Sequence, residues 1–291
     1  MVDGLPVLKK LHIYCEACVF GKQHRDEFPA VKDRKQRDIL ELVHTDLCGP
    51  MQTRSLGGAY YFLIFVDECT RFTWVYFLKQ KIQSFEYFKQ FRNMIEKQIG
   101  NFIGILRSDQ GGEFKKEVFT KYCNEHGIQQ QFTTPYTPQQ NGVFERKNIT
   151  LVECARSMLK GKNLTNGFWA EVVNTAVYLK NRSPTKSLEY KTHFEALFGF
   201  KPAVSHLRVF GCKAFAHVPK ENRKKLDSKA IKCTFIGYCS EYKAYKLFDL
   251  ATHKVFVSRD VLFHEQIDDG NPAQNNEEWH VPLLLEEDSE T

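Results

Sequence analysis

An α/β domain on a mixed five-stranded sheet, followed by a small β-barrel, is the fold class this sequence predicts. Three observations carry it. Between residues 38 and 202 the hydrophobic pattern runs strand, strand, strand, helix, strand, helix, strand, helix, helix. Past Pro202 the texture changes to short strands with turn signals between them. Finally, 42% hydrophobic residues with 24 Phe and 12 Tyr in 291 residues supply ample apolar mass for a packed core, which excludes wholesale disorder.

The elements follow in order. Residues 1–37 are a short cysteine-bearing segment and a basic connector, VKDRKQR, without apolar period. ILELVHTDL is a strand ending in the turn CGPM. AYYFLIFVDE and RFTWVYFLK are aromatic and β-branched runs joined by a short polar turn, the pattern of an antiparallel hairpin. SFEYFKQFRNMIEKQIG places Phe85, Phe88, Phe91 and Ile95 at helical spacing, with Ser84 as the expected cap and Gly100 as the stop. NFIGILRSDQ is a fourth strand, FTKYCNEHG a short helix ending at Gly127, and IQQQFTT a fifth strand closed by a loop with Pro135 and Pro138. A long helix is expected from Gly142, with Leu151, Val152, Ala155, Met158 and Leu159 on one face; FWAEVVNTAVYLKN is a second, with a broad apolar stripe. This is the element order of the ribonuclease H-like fold, in which the first and fourth strands are neighbours. HLRVFGCKAFAHV, IKCTFIGY, AYKLFDL and KVFVSRDVLFHE then give about five short strands over 203–267, a small closed barrel. Residues 268–291 read as an acidic, disordered tail.

Charge points to a polyanion. The whole chain carries +6, but the tail holds eight acidic residues and no Lys or Arg, so residues 1–267 carry 41 basic against 27 acidic residues, or +14. The nine cysteines are odd in number and mostly embedded in apolar runs (Cys69, Cys123, Cys154, Cys212, Cys233, Cys239), which reads as reduced thiols in a nuclear and cytoplasmic protein. The N-terminus lacks an apolar signal region, and no apolar run reaches membrane-spanning length, so no membrane partner is expected.

Three acidic residues stand in distinctive settings: Asp46 in HTDLCGPM, Asp109 in LRSDQGGEF and Glu145 in TPYTPQQNGVFERKN. Sixty-two residues separate the first two and 35 the second and third. Each alone is ordinary: an Asp at a strand end forms turns, and a Glu near a helix start favours the dipole. Together, with the fold order, they have the spacing of a D, D-35-E carboxylate triad. Phosphodiester attack needs a nucleophile made potent, a leaving oxygen stabilised and a crowded anion neutralised, and two hard divalent ions held by carboxylates can do all three. With these words around the triad, the chain from about Cys15 to Glu265 resembles the integrase of copia-type long-terminal-repeat retrotransposons.

The resemblance implies a ribonuclease H-like integrase catalytic core with a Src-homology-type barrel after it. It implies Asp46, Asp109 and Glu145 as catalytic residues and ligands of two Mg²⁺ (or Mn²⁺) ions, double-stranded DNA (element ends and target) as partner, and a homo-oligomer as the working form. Gln139, Gln140 and Asn141, expected in the loop before the Glu145 helix, and Arg146 and Lys147 just after it, are candidate DNA contacts. So are Lys220, Arg223, Lys224 and Lys225, since clustered cations release counterions from duplex DNA. Cys15-x-x-Cys18 with the following GKQ resembles the second half of the integrase Zn²⁺-binding motif; the upstream histidines are not in the chain, and His12 and His24 suit a tetrahedral site poorly, so the segment reads as a remnant. Two residues depart from the pattern: Phe144 where a small residue is usual, and Ile149 where an arginine is usual. The rival reading is a catalytically idle nucleic-acid-binding or scaffold protein derived from such an integrase. Glu68, a carboxylate outside the motif, is expected to tolerate substitution.

Overall fold

The computed structural model describes residues 37–133, 138–239 and 242–265, and for residues 138–146 the backbone alone. Five strands, β1 (Leu42–Cys48), β2 (Tyr61–Asp67), β3 (Thr73–Leu78), β4 (Ile105–Ser108) and β5 (Gln129–Phe132), form one sheet in the order β3-β2-β1-β4-β5. The β1–β2 and β2–β3 pairs are antiparallel, whereas β1–β4 and β4–β5 are parallel, so the sheet is mixed as expected.

Period-two alternation sends side chains to two buried faces. In β2, Leu63 and Phe65 face one layer, and Phe62, Ile64 and Val66 face the other; all five are buried. The first layer holds α1 (Ser84–Ile99) and α2 (Glu117–Glu125). There Phe65 stacks on Phe91 at 4.2 Å between ring centroids, and Phe88 stacks on Phe119 at 5.0 Å. Helix α1 ends at Gly100 with φ of 81°, a left-handed cap that favours glycine. Its start corrects an expectation, because Ser84 is already helical and buried. The chain enters through a 3₁₀ turn, Lys81–Gln83, and the Gln83 carboxamide oxygen accepts from the backbone N–H of Lys79 (2.8 Å) and Gln80 (3.0 Å).

The second layer holds α3 (Pro138–Gly161) and α4 (Trp169–Arg182), with the short α5 (His193–Phe198) beyond. Helix α3 begins four residues earlier than expected. Proline suits the first helical turn, where its missing N–H has no partner to lose, so Pro138 opens the helix and does not close the loop before it. Gln139, Gln140 and Asn141 consequently stand in the first turn of α3, not in a loop.

After residue 202 come β6 (Lys213–His217), β7 (Ala230–Tyr238), β8 (Tyr245–Asp249), β9 (Val255–Ser258) and β10 (Val261–His264), an all-antiparallel sheet in the order β10-β6-β7-β8-β9. The edge strands β9 and β10 are joined by only Arg259 and Asp260. Three Cα steps span at most about 11 Å, whereas the edges of a flat five-stranded sheet lie roughly 19 Å apart. The sheet must therefore curl until its edges approach, which gives the barrel shape.

The barrel is packed onto the core. One apolar cluster contains Phe62, Ile64, Trp169 and Val172 from the core together with Phe210, Ile236 and Phe248 from beyond residue 202. Phe168 meets Phe248 edge-on at 5.0 Å, and Tyr178 stacks on Tyr238 at 4.2 Å. At Gly237 (φ 140°) a Cβ would lie 2.9 Å from Thr175 Oγ1, so β7 approaches α4 as closely as a glycine permits. Pro202 thus marks a change of strand pattern, while the apolar packing runs through it.

Candidate active site

Strand register builds the site. Strands β1 and β4 run parallel with His44 opposite Arg107, so two residues further along each chain Asp46 stands level with Asp109. Asp46 pairs with Ile64 of β2 and shares its face, the one covered by α3 and α4. Asp109 is exposed just beyond β4, where its Oδ1 accepts from the Gly111 N–H at 3.0 Å. A Cβ on Gly111 would lie 2.9 Å from both Asp109 Oδ1 and Glu113 Oε1, so glycine lets this turn close over two carboxylates. Glu113 is not among the residues the triad pattern marks; its place in GGEF, directly after the glycine pair, is the sequence signal for it.

Asn148 of α3 donates from Nδ2 to Asp46 Oδ2, and its own buried Oδ1 has no partner among the described residues. The triad pattern does not mark this residue either. Glu145 lies three residues earlier, about one turn along α3, and that i, i+3 relation was legible in ERKN. The side chains of Glu145, Gln139, Gln140, Asn141 and Arg146 lie outside the described residues, as do those of Phe144, Cys15 and Cys18. Among the described residues there is no cluster of three or more metal-ligating side chains.

Cys48 senses both aspartates. Its Sγ is 3.9 Å from Asp46 Oδ2, and burial first, then the negative charges of Asp46 and Asp109, push the thiol up to about 12. Independently of that shift, the β1–β4 register brings Asp46 and Asp109 to neighbouring strand ends. Oxygen donors concentrated in this way suit a hard divalent cation.

Lys147 is placed differently from the expectation of a DNA contact. This half-buried residue donates from Nζ to the carbonyl of Arg71, in the turn between β2 and β3. Burial and, secondarily, the Arg71 and Lys180 charges lower its ammonium to about 7. Glu68 is not a spare carboxylate either: it accepts from Arg71 Nη1 and Nη2 (3.0 and 3.2 Å) and lies 2.6 Å from His44 Nε2. Ile149, at the second departure from the family pattern, is 56% exposed on α3. In the barrel, Lys220, Lys224 and Lys225 are exposed between β6 and β7, whereas Arg223 is half-buried and donates to the Val218 carbonyl at 3.2 Å.

His193 on α5 is buried, and its Nδ1 has no partner among the described residues. Burial, then the charges of Lys147, Arg71 and Lys180, depress it from 6.5 to about 3. Because the folded value is the lower one, the unfolded chain takes up the proton first. Stability from this group is complete above pH 6.5 and declines as pH falls toward 3, by at most about 1.4 kcal/mol per pH unit. Between pH 6 and pH 4 the stability of His193→Gln should fall less steeply than that of wild type in denaturant titrations. Parallel slopes would show that His193 is not held neutral.

Residues 39–138 match the integrase core domain, and residues 212–277 match the retroviral polymerase SH3-like domain. The retrovirus-related Pol polyprotein from transposon TNT 1-94 of Nicotiana tabacum is 49% identical over 251 residues, 86% of this chain and 19% of that one. The chain carries the two domains of a retrotransposon integrase. The corresponding polyprotein from transposon RE2 of Arabidopsis thaliana is 36% identical over 265 residues, covering 90% of this chain and 18% of its own. The Ty1-LR3 Gag-Pol polyprotein of Saccharomyces cerevisiae is 26% identical over 216 residues, 72% of this chain and 12% of its own. The chain thus spans about a fifth or less of the length of the polyproteins it matches. Its five-stranded mixed sheet with helices, followed by an antiparallel five-stranded barrel, agrees with the two matched domains and with the fold expected from the sequence. Among the described residues no helix is long and apolar enough to cross a membrane.

Proposed function

We propose that this chain is a metal-dependent polynucleotidyl transferase that processes the 3′ ends of element DNA and joins them to target DNA. The observation that supports it best is the level placement of Asp46 and Asp109 on adjacent parallel strands, with the Glu145 helix tied to Asp46 through Asn148. Asp46, Asp109 and Glu145 would hold Mg²⁺ or Mn²⁺, two ions in the family's arrangement. Bound there, such ions supply Lewis acidity and an activated hydroxyl. The residues themselves orient oxygen donors and contribute no covalent nucleophile: the Cys48 thiol, pushed up to about 12, stays protonated at neutral pH. Attack is left to water in end processing and to a DNA 3′-hydroxyl in joining.

Duplex DNA is the partner that a basic body suits, a homo-oligomer is the working form, and the nucleus and cytoplasm are where such a chain would act. The test is a labelled long-terminal-repeat end incubated with the full chain and Mg²⁺ or Mn²⁺. Metal-dependent nicking and joining are expected; tight duplex binding without either would instead support the idle, DNA-binding reading.

The barrel lysines give a separate expectation. Neutralising Lys220, Lys224 and Lys225 to Gln should weaken binding to all duplex sequences alike. The slope of log K against log salt should flatten by roughly 0.9 for each phosphate that is no longer neutralised. An unchanged slope would show that these lysines are simply solvated.

A further inference from the structure

Two consecutive residues of α3 are tied to different parts of the core. Asn148 donates to Asp46 on β1, and Lys147 donates to the Arg71 carbonyl at the β2–β3 turn. Successive helical residues project about 100° apart. One tie would be a pivot; two in different directions fix both the rotation and the height of the helix.

The Arg71 anchor is itself braced. Its guanidinium is held by both carboxylate oxygens of Glu68, and Glu68 lies 2.6 Å from His44 Nε2. His44 is two residues before Asp46, on the same face of β1. The contacts therefore run in a ring, from Asp46 through Asn148, Lys147, Arg71, Glu68 and His44 back to the strand that carries Asp46. Taking an ammonium out of water is costly, and a lysine on a solvated helix face would avoid that cost. At Lys147 the cost is met with a backbone carbonyl as partner.

We propose that Lys147 is a positioning residue for the carboxylate site and not a DNA contact, an inference that rests on the metal-dependent reading above. By anchoring α3 to the β2–β3 turn it sets, with Asn148, the rotation of the helix that carries Glu145. The magnitude is sufficient. A side chain extends about 5–6 Å from the helix axis, so turning α3 by about 20° displaces its end by roughly 2 Å. Mg²⁺ requires near-ideal geometry at about 2.0–2.1 Å, so that displacement empties a ligand position.

The test uses the full chain and Lys147→Met, which keeps the length of the stem and deletes the ammonium. Mn²⁺ affinity without DNA is read by electron paramagnetic resonance, alongside the Mg²⁺ dependence of nicking, duplex affinity across a salt series, and the melting temperature. Mn²⁺ affinity is expected to fall about tenfold or more, as it does when the groups that orient metal ligands are removed. The Mg²⁺ concentration for half-maximal nicking should rise in parallel, while duplex affinity and its salt slope stay at wild-type values. A slope reduced by about 0.9 with unchanged Mn²⁺ affinity would make Lys147 a phosphate contact and overturn the proposal. A lower melting temperature with wild-type Mn²⁺ affinity would reduce it to packing, and overturn it equally. Should Lys147→Met fail to fold, Glu68→Gln loosens the ring from the Arg71 side and is expected to weaken Mn²⁺ binding in the same direction; wild-type affinity there counts against the ring. Absence of Mn²⁺ binding by wild type itself would defeat the metal reading directly, and this proposal with it.

Discussion

Asp46→Asn is expected to remain folded and to lose nicking and joining by about a thousandfold or more. Asparagine has nearly the shape of aspartate, and its carbonyl can still accept from Asn148 Nδ2, so the contact between β1 and α3 survives. What disappears is the charge. Lewis-acid stabilisation is worth several kcal/mol, and about 4 kcal/mol corresponds to roughly a thousandfold in rate. Glu125→Gln, at an exposed residue that ends α2, is the appropriate control and should cost little; Glu68 cannot serve, because it holds Arg71 and His44. Circular dichroism and thermal melts would establish the fold, and a labelled DNA end the rate. A folded Asp46→Asn variant with near wild-type rate in Mg²⁺ would sink the carboxylate assignment.

Phe248→Ala should destabilise the core as much as the barrel. Phe248 is 2% exposed and lies against Phe168, in one cluster with Trp169, Val172 and Phe62. Truncating a buried phenylalanine costs about 3–5 kcal/mol, part transfer energy and part cavity. At this size that lowers the melting temperature by roughly 10 °C. Trp169 sits in the shared cluster and Trp74 in the first layer of the core, so with the third tryptophan, Trp279, replaced by Phe, tryptophan fluorescence follows the core while far-ultraviolet dichroism follows both bodies. Coincident, equally shifted transitions are expected. If the fluorescence transition stays in place while part of the dichroism melts early, the barrel is an independent unit and residue 202 separates two cores.

Much of the fold was legible because local periodicity and punctuation encode it. The unbroken apolar run in YFLIFVD gave a buried strand, and the spacing of Phe88, Phe91 and Ile95 with Gly100 gave α1 and its end. Errors fell at helix starts. Ser84 looks like a cap but the cap lies in the turn before it, and Pro138 reads as loop punctuation although a proline fits a first helical turn equally well. Of the site, the level placement of Asp46 and Asp109 followed from the order of strands, because parallel neighbours at the centre of the sheet bring their ends together.

By itself the sequence determined the element order, which segments are apolar enough to be buried, and which carboxylates stand at matching strand ends. Those features depend on the period of side chains along one segment and on a small set of allowed topologies. Only the tertiary structure decided that Lys147 meets the Arg71 carbonyl, 76 residues away, and that Asn148 meets Asp46, 102 residues away. It alone showed that Glu68 braces His44 and Arg71, and that Phe248 completes a cluster begun by Phe62. The physical reason is that a pattern within a segment specifies which face of it turns inward. Which side chain it meets there depends on the angle and height at which another segment docks, and that is set by the packing of the whole.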